Sequence, residues 1–392
     1  MNIQELVEKY GDYQIEMRRW FHRHPEPSCE EKATAAKIRE ELDRMGVKWR
    51  QCGLETGTMA VIEGRAPGRT IMLRGDIDGL SVTEKTGLEF ASENPGMMHA
   101  CGHDCHISML LTAAKILNDM KGEFTGRVVL AFQPAEENGK GAKAMIADGV
   151  LEGVDACFGQ HVWWDYPAGT VAVCEGAAFA SCDMFEIDVT GKSGHGAEPQ
   201  ASHDATVMAS AIVQNLQTIV SRETTPIDTA VVTVGTLESG TRWNVISGYA
   251  KMTGTTRSYS PEVQKKLPGQ IERIAKMTAE ALGGTAELHY ECIVPVTYND
   301  VTFAKCVKKS AAKLLGADAV VDAHPTMGGE DFARYQEKVP GVIAFMGIQN
   351  EACGACWPQH HDRFTVDESA LIRGAGLYVQ TALDFLAEGM QA

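Results

Sequence analysis

Four segments of this sequence carry metal-ligating or acidic side chains close to the ends of predicted buried strands. They are residues 75–78 (Gly-Asp-Ile-Asp), residues 99–106 (His-Ala-Cys-Gly-His-Asp-Cys-His), the pair Glu136 and Glu137, and His161. Thiolates, imidazoles and carboxylates are the side-chain groups that bind zinc and related divalent ions. Open α/β sheets place their sites outside the carboxyl ends of the strands. Together, the four segments therefore predict one metal-dependent site.

Each of these signals also has a structural interpretation when it is taken alone. Cys101 and His103 could be a buried thiol and a helix-start imidazole, or two ligands that converge on one ion. Glu136 and Glu137 could form a solvated turn, but two adjacent acids after an apolar strand favour a nearby cation. Because adjacent side chains diverge, one acid could bind a metal while the other faces a substrate. His161 could equally be a core histidine.

Short apolar runs and helical patterns alternate around these segments. Runs that are apolar on both faces are typical of a parallel sheet, whereas residues 106–120 keep their apolar side chains on one helical face. This alternation predicts an α/β sheet covered by helices. Ser28 and Glu31 resemble a capping box and predict a helix that stops at Gly46. The other predicted elements are strands at 58–63, 70–74, 127–133, 156–162 and 341–348, and helices at 300–315, 330–338 and 367–388.

A different pattern begins near residue 183. Residues 185–190 alternate apolar and polar side chains, which indicates a strand with one solvated face. The patterns that follow have the order β-α-β-β-α-β, which is the order of a ferredoxin-like unit. We therefore predict an inserted domain at residues 183–295, which divides a larger α/β domain formed by residues 1–182 and 296–392.

The composition excludes several classes of protein. The 392 residues include 52 acidic and 36 basic side chains, so the formal net charge is -16. This acid excess argues against nucleic acid or an anionic membrane surface as the main partner. Apolar runs stay well below the roughly 18 residues of a membrane span, and the first residues lack the apolar core of a secretion signal. The sequence predicts a cytoplasmic enzyme with small-molecule substrates.

The number and spacing of the cysteines indicate reduced thiols rather than disulfides. There are eleven, an odd number spread along a long chain, which is unlike the disulfide framework of a small secreted domain. Cys353 and Cys356 form a CxxC that could be two loop thiols, a redox pair or an additional metal clip. A four-cysteine zinc site would need a second CxxC, which the sequence does not contain.

The motifs resemble those of the aminoacylase, hippurate hydrolase and auxin-conjugate hydrolase group of di-metal amidohydrolases and exopeptidases. The resemblance extends over nearly the whole chain, from His22-Arg23-His24-Pro25-Glu26 to the segment around Asp367 and Glu368. It implies a zinc-exopeptidase-like catalytic domain with an inserted lid domain that dimerises, in agreement with the divided organisation. The motifs that carry it are 75–78, 98–104, 133–137, 191–196 and 328–332.

By position, the resemblance implies two divalent metal ions per chain (zinc, manganese, cobalt or nickel) and five ligands. Cys101 would bridge the two ions. His361 competes with His360 for the last position, but the spacing to Phe364 favours His360. The implied ligands are Cys101, His103, Glu137, His161 and His360.

The resemblance also implies catalytic and substrate-binding residues. Glu136 would be the general base that activates a metal-bound water, and Asp78 would orient the metal ligands. In the lid, His195, Asn244 and Arg257 would lie around the substrate carboxylate and the oxyanion. His195 would reach the site of the partner subunit in a homodimer, whereas Arg257 could instead be a solvated charge at a strand end.

The sequence departs from the family pattern at two lid positions. Gln200 stands where a histidine is common, and Ser247 stands where a proline is common. Both departures concern substrate preference rather than the hydrolytic chemistry.

Three functions are compatible with these residues. The resemblance implies a metal-dependent amidohydrolase that cleaves N-acetyl, N-benzoyl or similar amino acids to a carboxylate and a free amino acid. A metallo-dipeptidase or carboxypeptidase acting on small peptides would use the same metals. A non-catalytic metal-storage or redox protein could be built on the eleven cysteines. The adjacent acids Glu136 and Glu137 argue against this third interpretation.

Overall fold

A computed structural model describes residues 3–390. The chain divides into two compact units. The larger unit comprises the residues up to 178, residues 298–324 and those from 331 onward. The smaller unit comprises residues 179–297 and 325–330. Among the described residues, no helix combines the length and the apolar character needed to cross a membrane.

The larger unit contains helices on an eight-stranded sheet, which confirms the predicted α/β class. Elements are numbered along the whole chain. Its strands are β1 (Lys48–Gln51), β2 (Thr58–Glu63), β3 (Thr70–Asp76), β4 (Arg127–Gln133), β5 (Ala156–Pro167), β6 (Val171–Ala172), β15 (Val320–Val321) and β16 (Gly341–Gln349). Its helices are α1 (Ile3–Lys9), α2 (Gly11–Arg23), α3 (Lys32–Met45), α4 (His103–Asp119), α5 (Gly141–Ala147), α8 (Val301–Leu315), α9 (Ala333–Gln336) and α10 (Leu371–Glu388).

The strand order of this sheet is β1-β2-β4-β3-β5-β16-β6-β15. The four central strands β4, β3, β5 and β16 run parallel, and every residue of β3 is buried. Helix α4 packs against α2 and α10, and its apolar residues Leu110, Leu111 and Leu117 are fully buried. This core fixes the carboxyl ends of β3 and β4, which are the strand ends that precede the candidate site.

The smaller unit has the predicted βαββαβ order. Its elements are β8 (Cys182–Thr190), β9 (Gly194–His195), α6 (Ala205–Thr218), β10 (Ala230–Ser239), β11 (Val245–Ile246), β12 (Tyr249–Ser258), α7 (Pro261–Ala281) and β13 (Thr285–Val294). Its sheet is antiparallel in the order β10-β12-β8-β13, with α6 and α7 packed on it. Asp204 and Ser260 cap the two helices through their side chains. The remaining short strands are β7 (Gly176–Phe179) and β14 (Thr297–Asn299).

The predicted capping box before α3 is wrong. Helix α3 begins at Lys32 and ends before Gly46 (φ 67°), as the glycine predicted. Neither Ser28 nor Glu31 caps its first turn, where the Glu26 carboxylate accepts from the Ala33 and Thr34 N–H groups. The Ser28 hydroxyl donates to Asp78 instead, and the Glu31 carboxylate accepts from backbone groups outside the helix. Both side chains are recruited by distant groups, which sequence spacing does not reveal.

Candidate metal centre

The carboxyl edge of the central strands positions most of the predicted site residues. Asp78 follows β3, and Glu136 and Glu137 follow β4. His103 is the first residue of α4, because Gly102 before it adopts a left-handed conformation (φ 91°). His161 lies inside β5 rather than at its end, because β5 continues to Pro167 beside β16.

The structure brings the five predicted ligands into two overlapping groups. The ligand atoms of Cys101, His103 and His161 lie within 4.8 Å of one another, as do those of Cys101, Glu137 and His360. Cys101 belongs to both groups and is buried. This arrangement allows one thiolate to be shared between two neighbouring ions.

Hydrogen bonds orient His103 so that one nitrogen faces the cluster. Its Nδ1 lies 2.8 Å from the backbone oxygen of Asp78 and 3.2 Å from Oδ1 of the same residue. Both partners are acceptors, so Nδ1 carries a proton and Nε2 is the nitrogen available to a metal ion. Although burial disfavours the charged ring, the carboxylates of Asp76 and Asp78 raise the pKa of His103 to about 10. A metal at Nε2 must therefore displace a proton.

Asp78, which hydrogen-bonds to the imidazole of His103, is itself held by hydrogen bonds. Its Oδ2 accepts hydrogen bonds from the Ser28 hydroxyl (2.7 Å) and from the Glu137 backbone N–H (3.1 Å). Burial alone would raise the pKa of Asp78, but the hydrogen bond and the charge of His103 hold it below its usual value. Asp78 is thus a buried carboxylate, in line with its predicted orienting role.

The buried imidazole of His161 is neutral. Its Nδ1 donates to the backbone oxygen of Val162 (2.7 Å), and its Nε2 lies 3.5 Å from the Cys101 sulfur. Burial, together with the electrostatic influence of the neighbouring His106, lowers the pKa of His161 well below its usual value. A neutral imidazole with its Nδ1 proton engaged is the form that binds metals.

The side chains of this cluster fit a divalent cation. Two buried polar atoms, His103 Nε2 and Glu137 Oε1, have no hydrogen-bond partner and lie 3.9 Å apart. Burial raises the pKa of Glu137 to about 7, and burial with nearby carboxylates raises the pKa of the Cys101 thiol well above its usual range. A bound cation would reverse both shifts and satisfy both atoms. The mixed thiolate, imidazole and carboxylate set is typical of transition-metal sites.

The geometry distinguishes between the two adjacent histidines of the last loop. His360 Nε2 lies 3.7 Å from Glu137 Oε1, and its backbone adopts a left-handed conformation (φ 67°). The His361 ring instead stacks on Trp357, with ring centroids 4.3 Å apart, and accepts from the Arg363 N–H. His360 is therefore the histidine that approaches the cluster.

Glu136 lies beside the ligands but is held by a different contact. A carboxylate oxygen of Glu136 lies within 4.8 Å of the ligand atoms of His103 and Glu137. Its Oε1 accepts a hydrogen bond of 3.3 Å from the backbone N–H of Asp331. The two adjacent carboxylates therefore both approach His103, and the Asp331 backbone N–H also holds Glu136.

A buried charge network under this edge was not predicted from the sequence. Arg74 donates to Asp76 Oδ2 (2.5 Å), to Asp331 Oδ1 (3.0 Å) and to Gln133 Oε1 (2.9 Å). Asp76 in turn accepts from His106 Nδ1 (2.5 Å). The sequence did contain a signal for this network, because Arg74 and Asp76 interrupt the largely apolar strand β3 and buried charges require partners.

The three predicted lid residues all lie in the smaller unit. His195 on β9 pairs with Val245 on β11, and its Nδ1 accepts from the Ala197 N–H (3.1 Å), so Nε2 carries the proton. The backbone oxygen of Asn244 accepts from Gly196 (3.0 Å), which places Asn244 beside His195. Arg257 lies on β12 and donates to the backbone oxygen of Thr256 (2.9 Å).

The remaining sequence signals have local structural roles. All eleven cysteines are free thiols. Cys353 and Cys356 lie in a short loop, where their sulfurs contact the backbone oxygens of Asn350 and Gly354. In the smaller unit, the Ser247 hydroxyl donates to the backbone oxygen of Tyr249 (2.6 Å).

Comparisons with known proteins agree with this geometry. The chain is 40% identical over 370 residues to the N-acetylcysteine deacetylase of Bacillus subtilis, covering 94% of this chain and 96% of the relative. It is 37% identical over 383 residues to thermostable carboxypeptidase 2 of Saccharolobus solfataricus, covering 97% of each. A crystal structure from Bacillus subtilis, described as a dinuclear metal binding peptidase from the M20 family, is 38% identical with a TM-score of 0.87 and covers 97% and 99% of the two chains.

The family profile gives the same result. The profile of peptidase family M20/M25/M40 matches residues 72–384, which include every predicted ligand. The clustering of thiolate, imidazole and carboxylate groups in the larger unit is consistent with the dinuclear centre described for the structural relative. The chain therefore belongs to peptidase family M20/M25/M40, and the protein is a hydrolase.

Proposed function

We propose that this protein hydrolyses the amide bond of N-acyl amino acids and releases a carboxylate and a free amino acid. The observation that carries the proposal is the turn after β4. Glu137 contributes an unpartnered carboxylate oxygen to the ligand cluster, and Glu136 places a second carboxylate beside it. The name of the Bacillus subtilis deacetylase supports an N-acyl amino acid as the substrate class.

Cys101, His103, Glu137, His161 and His360 are the proposed ligands of two divalent ions, with Cys101 shared between them. Zinc suits this mixed donor set, and manganese, cobalt and nickel are the other candidates. When bound, such ions polarise a carbonyl group and lower the pKa of water.

Glu136 acts as the proton carrier in this proposal. Its carboxylate accepts a proton from the attacking water and then delivers the proton to the leaving amine, so that no covalent intermediate with the protein is needed. The hydrogen bond from the Asp331 N–H holds Glu136 Oε1, and a carboxylate oxygen of Glu136 lies close to the ligand atoms of His103 and Glu137. Asp78 keeps the His103 ring oriented throughout.

In this proposal, the smaller unit acts as a lid domain that contributes residues to substrate binding. His195 presents a protonated Nε2, which is suited to stabilising an oxyanion, and Asn244 beside it has a buried side-chain oxygen without a partner. Arg257 supplies a positive charge for a substrate carboxylate. We further propose a cytoplasmic homodimer in which His195 serves the site of the partner subunit.

A carboxypeptidase or dipeptidase is the second candidate. It is favoured by the 37% identity to thermostable carboxypeptidase 2, which covers 97% of both chains. The two candidates differ in the acyl group of the substrate: in a dipeptide it carries a free α-amine, whereas an acetyl or benzoyl group carries none.

A substrate panel tests the proposal. Protein stripped with a chelator and reloaded separately with zinc, manganese, cobalt or nickel is incubated with N-acetylmethionine, N-benzoylglycine and the unblocked dipeptide Gly-Met. We expect metal-dependent amine release from the N-acyl substrates, with little turnover of the dipeptide. Turnover of the dipeptide alone would replace this proposal by the second candidate. Activity that is unchanged in the stripped protein would refute both.

A further inference from the structure

Three non-glycine residues in the described chain have a positive φ, and all three lie around the candidate site. They are Cys29 (φ 72°), Ala135 (φ 52°) and His360 (φ 67°). The left-handed conformation brings the Cβ atom close to the backbone, so it persists only when the surrounding structure enforces it. Ala135 immediately precedes Glu136, so its conformation sets the direction in which the proposed general base leaves β4.

One buried carboxylate contacts two of these strained residues. Glu31 Oε1 accepts hydrogen bonds from the backbone N–H of Cys29 (2.9 Å) and from that of Ala135 (2.8 Å). Its other oxygen accepts from the Thr56 hydroxyl (2.6 Å). Glu31 is fully buried, so no solvent competes for these bonds.

The turn after β4 is closed around Ala135. The backbone oxygen of Ala135 accepts from the N–H groups of Lys140 and Gly141, each at 3.2 Å, and the backbone oxygen of Glu136 accepts from Gly139 (2.8 Å). These bonds define the far side of the turn. Glu31 supplies the bond on the near side, from a position 104 residues earlier in the chain.

We propose that Glu31 is a positioning residue for Glu136, which acts by holding Ala135 in its left-handed conformation. This inference rests on the proposed role of Glu136 as general base. The hydrogen bonds of Glu31 go to Cys29, Ala135 and Thr56, none of which is a predicted ligand, so its route to Glu136 is through the turn. Ser28, on the same segment, supports Asp78 in a parallel way, so residues 28–31 brace both the metal-orienting carboxylate and the general base.

Side-chain replacements at position 31 give the first test. Glu31→Ala removes the acceptor, and we expect kcat to fall by about 10- to 100-fold, because small misplacements of a catalytic group have effects on this scale. KM and the metal content should stay close to wild type. Glu31→Gln is the matched control, since its carbonyl oxygen can accept both N–H groups while its amide donates to Thr56. It should retain kcat within about threefold.

A suppressor separates positioning from a general loss of stability. Glycine adopts positive φ without a Cβ clash, so in Ala135→Gly residue 135 can take the left-handed conformation without the support of Glu31. In the Ala135→Gly background, Glu31→Ala should lower kcat far less than it does in the wild-type background. A purely structural role predicts the same loss in both backgrounds, and that result would overturn the inference.

The outcomes also separate this inference from the proposed function. If Glu136→Gln is inactive while a folded Glu31→Ala protein keeps its full kcat, the positioning role is wrong and the general base stands. If Glu136→Gln itself turns over normally, the proposed function fails first. Should Glu31→Ala not fold, Glu31→Asp provides the same test, because it keeps the charge but withdraws the oxygens by one methylene. Wild-type kcat in Glu31→Asp would then overturn the inference.

Discussion

Replacing Arg74 by methionine should destabilise the larger unit far more than the loss of an ordinary salt bridge. The Arg74 side chain is 1% exposed, and its guanidinium is shared between Asp76 and Asp331, both of them fully buried. Methionine fills a similar volume with an unbranched apolar chain, so the substitution removes the charge without leaving a large cavity.

The size of the destabilisation depends on the contacts that the carboxylates of Asp76 and Asp331 keep in the variant. Asp76 retains its contact with His106 (2.5 Å), and Asp331 retains the side-chain amide of Gln133 (2.7 Å) and the Ala142 N–H (3.1 Å). Neither retains the neutralising guanidinium. Removing one partner of a buried ion pair typically costs about 3–5 kcal/mol, because a buried charge is left uncompensated. We expect the free energy of unfolding to fall by this amount.

Urea unfolding in the presence of a chelator measures this change without a contribution from metal binding. Tryptophan fluorescence reports mainly on the larger unit, which holds five of the six tryptophans. Arg44→Met is the control, since Arg44 is 60% exposed and its two partners, Glu40 and Glu41, both keep their ion pairs with Lys37. Loss of an exposed pair costs about 0–1 kcal/mol. An Arg74→Met protein no less stable than Arg44→Met would refute the reasoning.

The other predictions concern the ligands and the lid. Cys101→Ser should lower the number of metal ions bound per chain, because a hydroxyl is a poorer anionic ligand than a thiolate, whereas Cys105→Ser should leave it unchanged; equal metal content in both variants would exclude the bridging role. His195→Ala should lower kcat without loss of metal. Mixing His195→Ala with Glu136→Gln under subunit exchange should restore activity towards about half of the wild-type value if each mixed dimer holds one complete site. No recovery after demonstrated exchange would mean that His195 does not act across subunits.

Much of the fold could be predicted because local patterns dominate in the sheets. Strand β4 spans the predicted residues 127–133, and α7, the second helix of the predicted β-α-β-β-α-β order, runs from Pro261 to Ala281. Pro268 lies inside that helix without ending it. The burial of Leu267, Ile271 and Ile274 against the sheet of the smaller unit outweighs the local penalty of the proline.

The errors arise where long-range contacts override local patterns. Strand β5 extends to Pro167, five residues beyond its prediction, because β16 pairs with it there after β3 has diverged. The predicted helix at 106–120 begins instead at His103, since Gly102 supplies the left-handed residue that starts it. The short strand β1 was not predicted, because its exposed residues show little hydrophobic contrast.

The same distinction between local patterns and long-range contacts applies to the candidate site. The types and the order of its ligands are visible in the sequence, since thiolate, imidazole and carboxylate chemistry can be inferred from residue identity. The supporting residues are not, because their partners are remote in the chain. Arg74 meets Asp331 across 257 residues, and Glu31 meets Ala135 across 104. Such contacts carry no signature in local spacing, so Ser28 and Glu31 were assigned to a helix cap that the structure does not contain.

The metal content and turnover of Glu136→Gln test the central claim most directly. Metal analysis of the reconstituted variant should give the wild-type stoichiometry, because the predicted ligands are unchanged, while kcat for an N-acyl amino acid falls by about 10² to 10⁴, the usual effect of removing a general base. Glu63→Gln, at an exposed strand end, is the control and should match wild type in both respects. Near-normal turnover in Glu136→Gln with full metal content would contradict the assignment of Glu136 as the general base.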